Sequence, residues 1–105
     1  PNYDEWNALF SAVGGQSTAG TALKFQTGWI GDGNGTDAFG FSGLLLATEV
    51  YIGYFVDDGY GVFFWSSTES NSGSAHNMEL AYSKDDANLY DITKTTGFSV
   101  RCLRD

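Results

Sequence analysis

A chain of 105 residues with a net charge of −8 is long enough for one domain with a single modest core. Five basic residues against thirteen acidic ones exclude the clustered cationic surface that nucleic-acid phosphates or an anionic membrane would require. Aromatic residues make up 16% and charged residues only 17%, which excludes a disordered chain. We predict a single domain over residues 1–105, with an aromatic core and no binding to nucleic acid or insertion into a membrane.

The first predicted element is a helix that begins after Asn2. Asn2 and Glu5 stand three residues apart in the pattern of a capping box. The apolar residues that follow share one helical face: Trp6, Leu9, Phe10 and Val13. The pair Gly14 and Gly15 predicts the end of this helix, because glycine adopts the left-handed conformation readily.

A second, shorter helix is predicted over Thr18–Leu23, with Ser17 as its N-cap. Gly20 weakens that prediction, because glycine costs about 1 kcal/mol relative to alanine in a helix. Residues 28–43, GWIGDGNGTDAFGFSG, are dense in turn-forming residues and predict a long loop.

Short strands are predicted after this loop, because apolar and polar residues begin to alternate. The predicted strands are Leu44–Ala47, Gly61–Trp65, Ala75–Tyr82, Asn88–Ile92 and a last one containing Phe98, Val100 and Cys102. Helices followed by antiparallel strands predict the α+β class. We expect Phe98 and Val100 to cover the first helix, which would bring the chain ends together.

The stretch FFWSSTES, residues 63–70, changes abruptly from aromatic to polar side chains. Phe63 and Trp65 should point to one face of a strand and Phe64 to the other, which predicts a central strand covered on both faces. The hydroxyl groups of residues 66–68 can bond backbone groups where that strand ends. Glu69, Ser70 and Asn71 could then open a binding loop on a rigid strand.

No catalytic motif is present. Cys102 is the single cysteine, and it is predicted to be a buried free thiol or half of a disulfide bridge. The single histidine, His76, lies in another segment, so no thiolate with a neighbouring base is indicated. We predict that the chain is not an enzyme.

A possible calcium loop lies within residues 32–37, DGNGTD, where Asp32, Asn34 and Asp37 are the candidate ligands. The EF-hand spacing is absent, and Asn-Gly and Asp-Gly are also ordinary turn pairs. The alternative is a loop that holds no metal.

A ligand-contact surface is predicted in the segment rich in Asn, Ser, Asp and Tyr that follows the aromatic strand. The candidate contact residues are Glu69, Ser70, Asn71, His76, Asn77, Lys84, Asp85, Asp86, Asn88 and Tyr90. The alternative is a solvated polar face, with His76 as a packed or rim residue.

Five segments in order, PNYDEWNALFSAVGG, STAGTALKFQTGW, GNGTDAFGFSGL, FFWSSTES and KTTGFSVRCLRD, resemble the Fibrobacter succinogenes major paralogous domain over the whole chain. The resemblance implies a C-type-lectin-like fold, with paired termini and a second small sheet. It also implies that a first strand is missing and that its cysteine would pair with Cys102. The sequence departs from the family at GLLLATEV, residues 43–50, where the family usually has a Pro-Gly turn.

The resemblance implies an extracellular or cell-surface location in Bacteroidota or their relatives. We therefore predict a non-enzymatic lectin-like binding or adhesion module, with a protein or glycan ligand and calcium as a possible cofactor. The alternatives are a variable receptor diversified by a retroelement, in which the same polar segment is the mutable part, and a structural module of a surface assembly.

Overall fold

A computed structural model describes residues 1–43, 50–51, 54–55 and 61–104. Its two helices are α1, Tyr3–Ala12, and α2, Gln16–Leu23. Its strands are β1, Val50–Tyr51, β2, Tyr54–Phe55, β3, Gly61–Asn71, β4, Ser74–Ala81, and β5, Ala87–Thr93. Helices therefore precede antiparallel strands, and the predicted α+β class is confirmed. The predicted strand Leu44–Ala47 lies outside the described residues.

The strands form two sheets. β1 and β2 make a short antiparallel pair, and β3, β4 and β5 make an antiparallel sheet in that order. Among the described strands, β3 therefore lies at the edge of the sheet and not between two others. The predicted cover on both faces is present, since Phe64 lies in the core and Phe63 stacks on Phe98. Ser99 partly covers this edge, since its N–H donates to the Phe63 carbonyl at 3.2 Å and its carbonyl accepts from Trp65 N–H at 2.9 Å.

α1 begins and ends where the sequence predicted. The Glu5 N–H donates to Asn2 Oδ1 at 2.8 Å, and the Asn2 N–H donates to Glu5 Oε2 at 2.7 Å, so the capping box is formed. Gly14 and Gly15 follow the helix with φ of 110° and 107°, a conformation that few other residues adopt.

The core lies between the helices and one face of the larger sheet, called here the inner face. Its buried residues are Trp6 and Phe10 of α1, Ala19 and Leu23 of α2, Val62, Phe64, Met78, Leu80 and Ala87 of the sheet, and Trp29 of the loop. Period-two alternation explains the sheet contribution, because Val62 and Phe64 point to the same side. The aromatic core is therefore confirmed.

α2 begins earlier than predicted. Gly15 is its N-cap residue and Gln16 its first residue, so the prediction that Ser17 caps the helix was wrong. The glycine pair that ends α1 also starts α2, which leaves Ser17 inside the first turn. Among helices in the described part of the chain, none is long and apolar enough to cross a membrane.

The chain end forms no strand within residues 94–104, so the prediction of a last strand was wrong. Phe98 stacks on Phe63, with ring centroids 5.0 Å apart, and contacts Trp65 at 4.8 Å. Its ring is thus taken up by β3 instead of α1. Val100 is 69% exposed as a result, and the Cys102 thiol is exposed instead of buried.

Candidate functional site

The face of the larger sheet opposite the helices is called here the outer face. The strand register places Trp65, Asn77 and Tyr90 side by side across it. Asn77 lies between the two aromatic residues and is only 2% exposed. Its Nδ2 donates to the Tyr90 carbonyl oxygen at 3.2 Å, so a buried amide fixes the position of β5 against β4.

A buried lysine is hydrogen-bonded to the backbone of the turn between β4 and β5, residues 82–86, and of the residue before it. Lys24 is 2% exposed, and its ammonium donates to the carbonyl oxygens of Ala81 and Lys84, each at 3.0 Å. The same ammonium lies 5.3 Å from the centre of the Trp29 ring, which adds a cation–π contact. One charged donor therefore fixes the last carbonyl group of β4 and a carbonyl group of the turn.

α2 holds the same turn from its other side. The Thr21 N–H donates to the Asp85 carbonyl at 3.0 Å, and the Thr21 hydroxyl donates to Asp85 Oδ1 at 3.2 Å. A Cβ atom on Gly20 would lie 2.2 Å from the carbonyl oxygen of Asp86, so only glycine permits this approach. The backbone of residues 82–86, called here the braced turn, is thereby fixed in the free protein.

Burial lowers the pKa of the Lys24 ammonium, and the nearby Asp85 carboxylate opposes that change. Hydrogen bonds to two carbonyl groups compensate part of the cost of burying the charge. Lys24 therefore has a structural role, and its ammonium is already engaged with the protein.

Side chains of the braced turn contact side chains of the adjoining ends of β4 and β5. Lys84 Nζ donates to Tyr90 Oη at 3.2 Å and lies 3.8 Å from the Glu79 carboxylate. The bond to Tyr90 and then the charge of Glu79 raise the pKa of Lys84. Asn88 Nδ2 donates to Asp86 Oδ1 at 3.0 Å. This group offers a cation, an aromatic ring and amide and carboxylate oxygens together.

The predicted contact residues lie in three separate places: the β4–β5 turn with its adjoining outer face, the β3–β4 hairpin end, and the inner face at His76. Lys84, Asp85, Asp86, Asn88, Tyr90 and Asn77 belong to the β4–β5 turn or the adjoining outer face. Glu69, Ser70 and Asn71 lie at the opposite end of the sheet, beside the β3–β4 hairpin. The eight residues of β4 separate the two ends by roughly 25 Å, at about 3.4 Å per residue.

His76 lies on the inner-face side of β4, and its ring is 4.8 Å from the Tyr3 ring of α1. Asn71 closes the β3–β4 hairpin, because its Oδ1 accepts from the Gly73 N–H at 2.9 Å. Both residues thus have local packing partners, and they do not adjoin the β4–β5 turn.

The candidate calcium loop uses its own oxygen atoms for turns. Asn34 Oδ1 accepts from the Trp29 N–H at 3.1 Å. The Asp37 carboxylate accepts from the Ser42 N–H at 2.6 Å and from the Ser42 hydroxyl at 2.8 Å. Asp32 is exposed. Among the residues that the structure describes, no three His, Cys, Asp or Glu side chains come together as a metal site; calcium binding stays a prediction.

Three residues that fix the turn were missed by the sequence reasoning. Gly20 was interpreted only as a weakness of α2, and neither Thr21 nor Lys24 was assigned a role. The one available signal was Gly20 itself, because a glycine within a helical pattern often marks close packing. Lys24 gave no signal of burial, since lysine is almost never fully buried.

Comparison with known proteins adds no relative. The sequence matches no protein-family model, and neither the curated proteins nor the solved structures yield a similar protein.

Proposed function

We propose that this chain is a non-enzymatic, lectin-like binding or adhesion module of a secreted or cell-surface bacterial protein. The β4–β5 turn and the adjoining part of the outer face form its contact surface. The observation that carries this proposal is the braced turn: its backbone is held by buried Lys24 and by the close approach of Gly20, while Lys84 and Tyr90 remain exposed.

A fixed turn favours binding because its conformational entropy is already lost in the free protein. The exposed groups suit recognition for the same reason, since tyrosine gives a large contact area with few rotatable bonds. Tyr82, at the start of the turn, is 40% exposed, and Tyr90, in β5, is 43% exposed.

The C-type-lectin-like fold is part of the same proposal. Two helices ahead of an antiparallel sheet agree with it. The positions of the chain ends also agree, because the Pro1 carbonyl accepts from Ser67 N–H at 2.9 Å while Ser99 pairs with Phe64. Both described ends thus lie beside β3.

The test is binding of the purified chain to protein and glycan arrays, with and without calcium. The double variant Lys84→Ala and Tyr90→Ala should lose at least tenfold in affinity for the ligand found. Leu103→Ala is the control, because Leu103 is 58% exposed and adjoins α1 instead of the turn. Equal binding by the double variant would refute the assigned surface, and no binder on either array would favour a structural module.

A further inference from the structure

The polar half of FFWSSTES forms a bulge in β3. Trp65 is opposite Asn77 and Glu69 is opposite Ala75, so three residues of β3, Ser66–Thr68, face the single residue His76 of β4. Bulges bend a strand and redirect its side chains, and they are frequent beside functional sites.

The bulge is anchored to the start of the chain. The Tyr3 N–H donates to Thr68 Oγ1 at 2.9 Å, and the Thr68 N–H donates to Ser66 Oγ at 3.1 Å. The Ser67 N–H donates to the Pro1 carbonyl at 2.9 Å. The Ser67 and Thr68 N–H groups, which the interrupted ladder leaves free, are thus bonded, and so is the first N–H group of α1. The bulge therefore holds its shape without a ligand.

An open cavity of about 310 Å³ lies on this bulge. It is lined by Trp65, Ser66, Ser67, Glu69, Ala75 and Lys94. The volume is at the lower end of the range for small-ligand sites, which suits a single small ring. Phe98 contacts the Trp65 ring at a centroid distance of 4.8 Å and supports it from the side of the chain end.

The charges in this cavity balance. Lys94 Nζ pairs with Glu69 Oε1, and both side chains are substantially exposed, at 38% and 64%. Exposed pairs of this kind contribute little to stability, so little is lost when a ligand separates or bridges them. A neutral ligand that both donates and accepts hydrogen bonds is therefore favoured over an ion.

We propose that this cavity binds a neutral saccharide residue. The hydrogen atoms on one face of a sugar ring carry partial positive charge and would pack against the negative face of the Trp65 indole. Sugar hydroxyl groups would donate to the Glu69 carboxylate and accept from the Lys94 ammonium. No metal ion is needed for these contacts.

The inference goes beyond the proposed function, because Glu69 and Lys94 lie at the opposite end of the sheet from the braced turn, and only Trp65 adjoins Asn77 across the outer face. The saccharide inference rests on the proposed function only in the assumption that the chain is a binding module. The two fail separately: arrays read with the Lys84 and Tyr90 variant test the turn, and titration with simple sugars tests the cavity.

The test is an NMR titration of the ¹⁵N-labelled chain with methyl glycosides of glucose, galactose, mannose and N-acetylglucosamine, in the presence of EDTA. We expect the resonances of the Trp65 indole N–H and of the Glu69 and Lys94 amides to shift with at least one glycoside. Glu69→Gln should weaken this binding at least tenfold. Asp91→Asn, which also removes one exposed carboxylate but from the inner-face side of β5, should leave it unchanged.

Three results would overturn the inference. One is a wild-type spectrum in which no glycoside moves the Trp65 indole signal. Another is equal affinity of Glu69→Gln and the wild type, which would exclude the carboxylate from the site. The third is a shift of the same resonances by a glycine dipeptide but by no glycoside, which would assign the cavity to peptides. Glu69 is exposed, so its variant is expected to fold normally.

Discussion

Replacing Gly20 by alanine separates two opposite expectations. On helix propensity alone, Gly20→Ala should stabilise α2 by about 1 kcal/mol. The structure places the new Cβ atom 2.2 Å from the Asp86 carbonyl oxygen and 2.7 Å from that of Asp85. Both are backbone atoms of the braced turn, so the turn or the helix must move by about 1 Å.

The cost of that movement exceeds the gain in propensity. Overpacking of a well-packed contact costs typically 1–3 kcal/mol, and a clash with two backbone atoms belongs at the upper end, about 3 kcal/mol. Subtracting about 1 kcal/mol for propensity leaves a net destabilisation of about 2 kcal/mol. For a domain of this size the midpoint of thermal unfolding should fall by about 10 °C.

Urea and thermal unfolding of the purified variant, followed by circular dichroism, measure this effect. Ser17→Ala is the matched control, because Ser17 is an exposed α2 residue whose replacement changes propensity alone. That control should keep or slightly raise the midpoint. A Gly20→Ala variant as stable as the wild type would show that α2 does not approach the turn as closely as described.

Two further predictions concern buried polar groups of the same region. Lys24→Met should lower the free energy of unfolding by about 1–3 kcal/mol in urea titrations, because the carbonyl groups of Ala81 and Lys84 lose their donor. Burial lowers the pKa of Lys24 in the folded chain, so the unfolded chain binds the proton of this ammonium more tightly. The stability of the wild type should therefore rise as pH approaches 10.5, and its difference from the stability of Lys24→Met should widen. A constant difference over that range would refute the pKa shift. Asn77→Ala should cost about 1–3 kcal/mol, whereas the half-buried Asn88→Ala should cost less; equal losses in thermal unfolding would contradict the role given to the Asn77 amide.

Local rules predicted the helical half of the fold well. α1 follows from a capping box, one apolar face and a glycine pair, each of which acts within a few residues of the chain. The inner face of the sheet follows from alternation, which buries Met78 and Leu80 together. Such features need no knowledge of distant partners.

The errors at Val100 and Lys24 arose where the partner lies far along the chain. Val100 alternates correctly for a strand, yet Phe98 packs on Phe63 and leaves Val100 exposed. Lys24 is buried because carbonyl groups 57 and 60 residues away accept its hydrogen bonds. No periodicity in the sequence predicts the burial of Lys24, because that burial depends on tertiary contacts.

The abrupt change within FFWSSTES has a different cause from the one that the sequence suggested. The strand does not end at Ser66, since β3 continues to Asn71. The hydroxyl groups lie where the ladder between β3 and β4 is interrupted. Ser66 Oγ accepts from the Thr68 N–H, which a regular strand would pair with its neighbour. Thr68 Oγ1 accepts from the Tyr3 N–H, which the first turn of α1 leaves free. The polar residues are therefore required by the bulge itself.

The braced turn and the bulge share one physical property, and that property supports a binding role for both. In each, hydrogen bonds within the protein hold the backbone: the Lys24 ammonium at the turn, and the Ser66 and Thr68 hydroxyls at the bulge. The exposed side chains, Tyr90 at one and Glu69 at the other, are not needed for that purpose. Their replacement should therefore change binding while leaving stability nearly unchanged, whereas replacement of Lys24 should change both.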